Sequence, residues 1–270
     1  MTAEFPPPAW LVGCGNMAGA MVEGWRAAGV DLSGVTVIRP SGLPVEGVRT
    51  VIAYPASEQP RFVMLGFKPQ KLDEVVPGLV PNVGRETFII SMLAGVTAAT
   101  LRHRFPNARA IVRIMPNLPV AQTSGVTAIY SPEAGLPGLT EVDRVMAALG
   151  RVVWCETEAE LGLIGAVAAA GVAYVARFAD ALAKSGQAMG LKPDVAREVA
   201  VQTLVGTGAY AATTGVSMTE IARRVASPKG TTEQGLAVLD ASDGLQPLVD
   251  RTLAAAVRRG LELAAEASRD

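Results

Sequence analysis

Trp10-Leu11-Val12-Gly13-Cys14-Gly15-Asn16-Met17-Ala18-Gly19-Ala20-Met21 decides how the chain is read. A short apolar run stops at Gly13 and a helical apolar pattern starts near Met17, so the glycines stand where a strand passes into a helix. Gly13-x-Gly15-x-x-Ala18 at such a junction is the dinucleotide-binding fingerprint. Gly13 makes the tight turn, Gly15 lets a diphosphate approach the backbone, and Ala18 is small enough for helix and strand to pack closely. The unpaired N–H groups at the helix start, around Asn16 and Met17, and the helix dipole then favour phosphate.

The rest of the composition fits a globular α/β protein. With 270 residues, half of them hydrophobic and 18% charged, the chain can build a large core in one or two domains. A formal net charge of −1 and the absence of a long basic run give no footprint for nucleic acid or an anionic membrane. Cys14 and Cys155 lie far apart in no metal-type spacing, so no metal is expected and both read as reduced thiols of a cytoplasmic protein. Met1 to Pro8 lacks the basic and apolar regions of a secretory signal. Leu161 to Ala176 is uncharged but stops at Arg177, short of the ~20 residues a membrane span needs. It is expected to be a buried helix, one that two subunits could share.

After a first helix over 16–29, Val35 to Ile38 reads as a second strand. Where an NAD enzyme carries an Asp or Glu on the ribose 2′-hydroxyl, this chain has Arg39-Pro40-Ser41-Gly42. A guanidinium and a hydroxyl there suit a 2′-phosphate, so NADPH is expected in preference to NADH; the bland alternative is a surface arginine after a strand. Further strands are expected at 49–52, 62–67, 86–92, 108–114, 124–130 and 151–155, with helices from Pro69 to about 76, over 96–105 and over 140–149. Lys68-Pro69 and Ala94-Gly95 follow strands at the end where ligands gather, which makes them cofactor candidates. The alternation predicts a mostly parallel sheet wrapped by helices over residues 1–155.

Beyond Cys155 the pattern is helical to the end, so residues 156–270 are expected to form an all-α second domain, whose many apolar faces point to dimerisation. Thr157-x-x-Glu160, Ser217-x-x-Glu220 and Thr231-x-x-Gln234 read as capping boxes, Pro193 as the first residue of a helix to about 213, and Leu245 to Ala267 as a last long helix. The sole histidine, His103, lies in the basic helix end Leu101-Arg102-His103-Arg104-Phe105 and reads as a surface residue.

Five pieces, in order, resemble the pyrroline-5-carboxylate reductase family, enzymes that make proline from its cyclic imine with NAD(P)H. They are Val12-Gly13-Cys14-Gly15-Asn16-Met17-Ala18, Phe67-Lys68-Pro69-Gln70, Ile90-Ser91 through Ala94-Gly95-Val96, Val112-Arg113-Ile114-Met115-Pro116-Asn117, and the stretch from Val225 to Asp240 containing Ser227-Pro228-Lys229-Gly230-Thr231-Thr232. The last is similar to the family signature S-P-G-G-x-T. The resemblance implies a Rossmann-type domain followed by a helical domain for substrate and dimerisation. It also implies a homodimer or larger assembly, a cyclic imine substrate, and Thr232 as the residue that hydrogen-bonds the imine nitrogen. Lys229, Gly230, Thr231 and Thr232 are the residues expected at the substrate carboxylate, with Asn117 beside substrate and nicotinamide. Residues alone say that Ser227, Pro228 and Gly230 shape a turn before a helix whose first N–H groups attract an anion; two threonines that merely cap the helix remain the alternative.

The departures gather on the substrate side. Ala168-Ala169-Ala170-Gly171-Val172-Ala173-Tyr174 stands where the family has S-G-S-G-P-A-Y, Lys229 replaces a glycine, and Leu118 a threonine. The expected activity is reduction of 1-pyrroline-5-carboxylate to proline. A reductase of another cyclic imino acid and a non-catalytic NADP-binding paralogue stay open. Hydroxyacid dehydrogenases of similar build carry G-x-x-x-K-x-x-N, and Gly162 to Ala169 has neither its lysine nor its asparagine. The chemistry requires the helix starts near Asn16 and Thr231 to converge on one cleft.

Overall fold

The computed structural model describes residues 4–56 and 58–267, so residues 1–3 of the stretch read for a secretory signal lie outside the described residues. Eight strands, β1 (Ala9–Val12), β2 (Val35–Ile38), β3 (Arg49–Val51), β4 (Phe62–Leu65), β5 (Phe88–Ser91), β6 (Ala110–Pro116), β7 (Gly125–Tyr130) and β8 (Gly150–Trp154), form one sheet in the order β3-β2-β1-β4-β5-β6-β7-β8. Every pairing is parallel except β6 with β7. The expected α/β half is therefore present, and the one reversal has a local cause. Leu118–Gln122 is a tight 3₁₀ turn rather than a crossover helix, so the chain returns beside β6 in the opposite direction.

Strands β1, β2, β4 and β5 are buried at every position, as AWLV, VTVI, FVML and FIIS. Such runs lack alternation because helices cover both faces. On one face α1 (Asn16–Ala27) and α4 (Leu139–Ala147) contribute Met21, Trp25, Val142 and Val145; on the other α2 (Leu72–Leu79) and α3 (Ala98–Arg104) contribute Val76, Leu79 and Leu101. The indole N–H of buried Trp25 is satisfied by the carbonyl of Val145 at 2.9 Å. Pro69 opens a single 3₁₀ turn, Pro69–Lys71, ahead of α2.

The remainder is helical: α5 (Glu158–Ile164), a π-helical turn (Gly165–Ala169), α6 (Gly171–Ala188), α7 (Pro193–Thr214), α8 (Met218–Val225), α9 (Thr231–Leu239) and α10 (Leu245–Ala267). Thr157 and Ser217 cap α5 and α8 by accepting from the N–H of Glu160 and Glu220, both at 3.2 Å. The third expected box is displaced. Gly230, not Thr231, is the N-cap of α9, and Glu233 turns back to accept from Lys229 N–H at 2.7 Å. The box is one residue out of register because Gly230 supplies the extended conformation that a cap needs.

Residues up to Ala170, together with those from Ala256 on, form one compact unit, and Gly171–Ala255 a second. In the second, α6 and α7 pack through Ala183, Ala196 and Ala200. The expectation of a buried helix over 161–176 is not met within one chain. Glu158–Ala188 has a mean hydropathy of 1.7 yet only 11% of its apolar window is buried. By length and composition alone it is long enough to cross a membrane. Val199, Val201 and Val205 of α7 are likewise exposed.

Gly24 fixes how closely α1 meets the turn after β6, because a Cβ there would stand 2.0 Å from the Val120 carbonyl oxygen. Gly24→Ala is expected to cost about 2–3 kcal/mol of stability by overpacking, read as a lower urea midpoint at unchanged slope.

Candidate active site

The carboxyl ends of β2, β1, β4 and β5 lie in register, with Val12 opposite both Ile38 and Leu65, and Leu65 opposite Ser91. Their following loops, 39–42, 13–17, 66–69 and 94–95, therefore share one edge of the sheet. Between β1 and β4 the winding of the sheet reverses, and a crevice opens there in such folds. Gly13 N–H bonds the Ile38 carbonyl and Gly66 N–H the Val12 carbonyl, both at 2.8 Å. Gly13 sits at φ +80°, and a Cβ on it would meet Gly66 O and Phe67 Cβ at 3.0 Å. A Cβ on Gly66 would reach the Ala18 methyl at 3.0 Å, the physical reason a small residue is needed at position 18.

Gly15 differs from Gly13. Exposed and N-cap of α1, it has no side-chain cap, and the nearest atom to a Cβ there is Gly66 O at 4.0 Å. The start of α1, with exposed Asn16 and half-buried Met17, thus turns unpaired N–H groups toward open space. Arg39 is half-buried at the end of β2, its backbone N–H on Val51 O at 3.0 Å. Its charge reaches the fingerprint loop: burial pushes the Cys14 thiol up, and the Arg39 guanidinium partly offsets that. Ser41 is exposed and its hydroxyl accepts from Leu43 N–H at 3.4 Å. Lys68 is exposed and Pro69 half-buried at the end of β4. Loops 13–17, 39–42, 66–69 and 94–95 contain two cations and no acidic residue. A nucleotide with several phosphates fits these donors.

Gly95, at φ +78°, lies under the end of α10, where a Cβ would meet Leu263 O at 3.0 Å; Ala94 beside it is exposed. His103 is exposed, as expected.

In the other unit, Lys229 takes the left-handed conformation at φ +60° and leads into Gly230 and α9. Lys229 N–H goes to Glu233 and Gly230 N–H to Ser227 O at 2.9 Å, while no side chain caps the helix. The helix start therefore leaves the N–H groups of Thr231 and Thr232 outside the helix's own bonding, with Thr231 exposed and Thr232 half-buried. Glu233 carried no role in the sequence reading; an acidic residue three positions after the cap was the available signal.

Asn117 is placed differently from the expectation. Only 6% exposed, it accepts from Val126 N–H at 2.8 Å through Oδ1 and donates to Ala168 O at 3.0 Å through Nδ2. Its amide serves the protein itself rather than projecting into an open site. Arg113, four residues earlier and also missed, is buried on Glu158 at 2.8 Å, and the same carboxylate oxygen accepts from Ala98 N–H at 2.6 Å. The sequence reading took only Thr157 and Glu160 from that helix start, and no local pattern points to a pair 45 residues apart.

A family model described as pyrroline-5-carboxylate reductase dimerisation matches residues 158–263. The pyrroline-5-carboxylate reductase of Pseudomonas aeruginosa is 30% identical over 262 residues, covering 94% of this chain and 96% of the relative. The chain belongs to the pyrroline-5-carboxylate reductase family. Pyrroline-5-carboxylate reductase 3 of Danio rerio is 31% identical over 94% of this chain and 90% of its own length. Among solved structures, a pyrroline-5-carboxylate reductase from Coxiella burnetii superposes with a TM-score of 0.86 at 28% identity, covering 96% of this chain and 98% of the other. The pyrroline carboxylate reductase of Plasmodium falciparum, solved with NADP bound, has the same fold with a TM-score of 0.84 at 19% identity, over 96% of this chain and 98% of its own.

The contrast between the two loop glycines gives a direct check on the crevice. Gly15→Val is expected to leave folding intact, since the space is open, yet to weaken NADPH binding by roughly 100-fold or more by filling the diphosphate's place; fluorescence titration alongside a melting curve measures both.

Proposed function

We propose that this protein reduces 1-pyrroline-5-carboxylate to proline with a reduced nicotinamide cofactor. The observation that carries the reading is similarity along nearly the whole chain to reductases of that name. The cofactor supplies a hydride to the carbon of the ring's C=N bond, and the nitrogen ends with a proton. What the protein contributes is holding, alignment and exclusion of water.

In this reading residues 1–155 are the dinucleotide-binding domain and 156–270 the helical domain for substrate and dimerisation. Gly13, Gly15, Asn16 and Met17 receive the diphosphate at the start of α1. Arg39 and Ser41 receive the 2′-phosphate, which favours NADPH over NADH, and Lys68, Pro69, Ala94 and Gly95 line the rest of the cofactor. Thr231 and Thr232 N–H groups, Gly230 and the Lys229 ammonium hold the substrate carboxylate at the start of α9. The Thr232 hydroxyl hydrogen-bonds the imine nitrogen, which is either protonated from the outset or served by that hydroxyl.

A second reading has a specific observation behind it. Residues 165–172 are Gly-Ala-Val-Ala-Ala-Ala-Gly-Val, so no hydroxyl lies where the family pattern has two, and a different cyclic imino acid then becomes the preferred substrate. NADPH oxidation with pyrroline-5-carboxylate and with piperideine carboxylates separates the readings. Turnover is expected to be fastest with the five-membered ring; faster turnover with a six-membered ring overturns the substrate assignment. Tight NADPH binding with no oxidation of any imine marks a non-catalytic paralogue.

Three further outcomes are expected. Arg39→Ala raises KM for NADPH about 10- to 100-fold and leaves that for NADH nearly unchanged, the size of a lost charge-assisted hydrogen bond. Thr232→Val lowers kcat at least roughly tenfold without changing NADPH affinity; unaltered turnover removes Thr232 from the mechanism. Light scattering of protein from the soluble, cytoplasmic fraction returns a homodimer or a multiple of it, never a monomer.

A further inference from the structure

The end of β6 holds the helical stretch 158–169 at several points. Arg113 takes Glu158 at 2.8 Å at the start of that stretch. Met115 packs on the middle, where a Cβ on Gly165 would meet its Cγ at 3.2 Å. Asn117 takes the Ala168 carbonyl at 3.0 Å, inside the π-helical turn that Ala170 N–H closes on Gly165 O at 3.1 Å. π-turns within α-helices are strained departures that concentrate at functional positions. This one has a dedicated side chain on it, buried and aligned by its second bond to Val126 N–H at 2.8 Å.

Residues 165–170 carry only hydrogen or apolar side chains. The polar groups this turn offers are therefore backbone groups alone, and their placement depends on what pins the backbone. Directly after Asn117, Leu118 stands 59% exposed where β6 ends. The same residue thus joins an exposed loop at the ligand-gathering end of the sheet to the apolar turn.

We infer that Asn117 is a positioning residue for the reduction: its amide clamps the π-helical turn 165–169 to the end of β6 and sets the backbone of Ala168–Ala170, without itself touching the substrate. The inference rests on the proposed activity for its kinetic readout, and on hydrogen exchange for a readout independent of it.

Asn117→Asp keeps the acceptor toward Val126 N–H but, while ionised, cannot donate to Ala168 O. Protonation restores the donor. Asn117→Ser is neutral and too short to span both partners, so it guards against misfolding caused by a buried charge. For Asn117→Asp, kcat is expected to fall about 10- to 100-fold at pH 8 and to recover at least roughly fivefold, relative to the unmutated protein, as pH drops toward the carboxyl's raised range. KM for NADPH stays within about twofold. For Asn117→Ser, kcat falls without the acid recovery. Amide exchange in a peptide spanning 165–170 quickens about tenfold or more in both variants, while α1 peptides are unchanged.

Unaltered exchange over 165–170 overturns the clamp. Unaltered kcat with a raised KM for the imine overturns the positioning role in favour of direct contact. If the unmutated protein oxidises NADPH with no imine, the proposed reduction fails and with it the kinetic role, whereas the exchange result still decides the clamp.

Discussion

The close approach of the loops after β1 and β4 governs the first unit. Gly13 and Gly66 touch through backbone, with the Gly13 oxygen 2.7 Å from where a Cβ on Gly66 would stand, and Ala18 fills the remaining space with a methyl. Two neighbouring parallel strands whose chains leave toward opposite faces can meet this tightly only if neither loop carries side-chain bulk there. Because they do, the start of α1 points along the sheet's edge, and Arg39 comes near enough for its charge to act on Cys14. A larger residue at 13, 18 or 66 would spread the strands and scatter these donors together.

The helical part obeys a different constraint. Strands β1, β2, β4 and β5 are buried from both sides by their own chain, whereas α6 and α7 bury an alanine seam against each other. A groove of about 770 Å³ lined by Val172, Val175, Ala179, Ala183, Val201 and Leu204 stays open in this unit, with Asp180, Asp194 and Arg197 at its margin. Apolar area of this kind costs about 25 cal/mol for each Å² left in water, which explains why the region matching residues 158–263 is a dimerisation region in this family.

Elements set by local rules were legible in the sequence. The strand 35–38 and the helix start at Pro193 were read to the residue, and the 245–267 helix likewise, because apolar period, proline and capping residues all lie within a few positions of what they control. What depended on distant partners was not. The antiparallel turn of β7 needs knowledge that 118–122 forms no crossover helix, and the Arg113–Glu158 pair spans 45 residues. Asn117 looked like a ligand because of where it sits in its motif; its bond to Ala168, 51 residues on, shows where its amide goes. The 158–188 helix keeps an exposed apolar face within one chain, so the reading of a helix that two subunits could share turns on a partner that no local pattern describes.

The start of α9 ties these threads to the one substitution that looks most disruptive. Lys229 stands where the family pattern has glycine and accepts a left-handed backbone, a conformation costing an L-residue about 1–2 kcal/mol. Glu233 offsets part of that by taking the Lys229 N–H at 2.7 Å, yet it also brings a negative charge to a helix end that otherwise favours anions. A glycine at 229 would take the left-handed backbone without that cost, but it would bring no positive charge to the loop. Lysine and glutamate therefore place opposite charges in one turn, joined by the Lys229 backbone N–H. On the proposed reading, in which the start of α9 takes the substrate carboxylate, the lysine charge favours that anion and the glutamate charge opposes it.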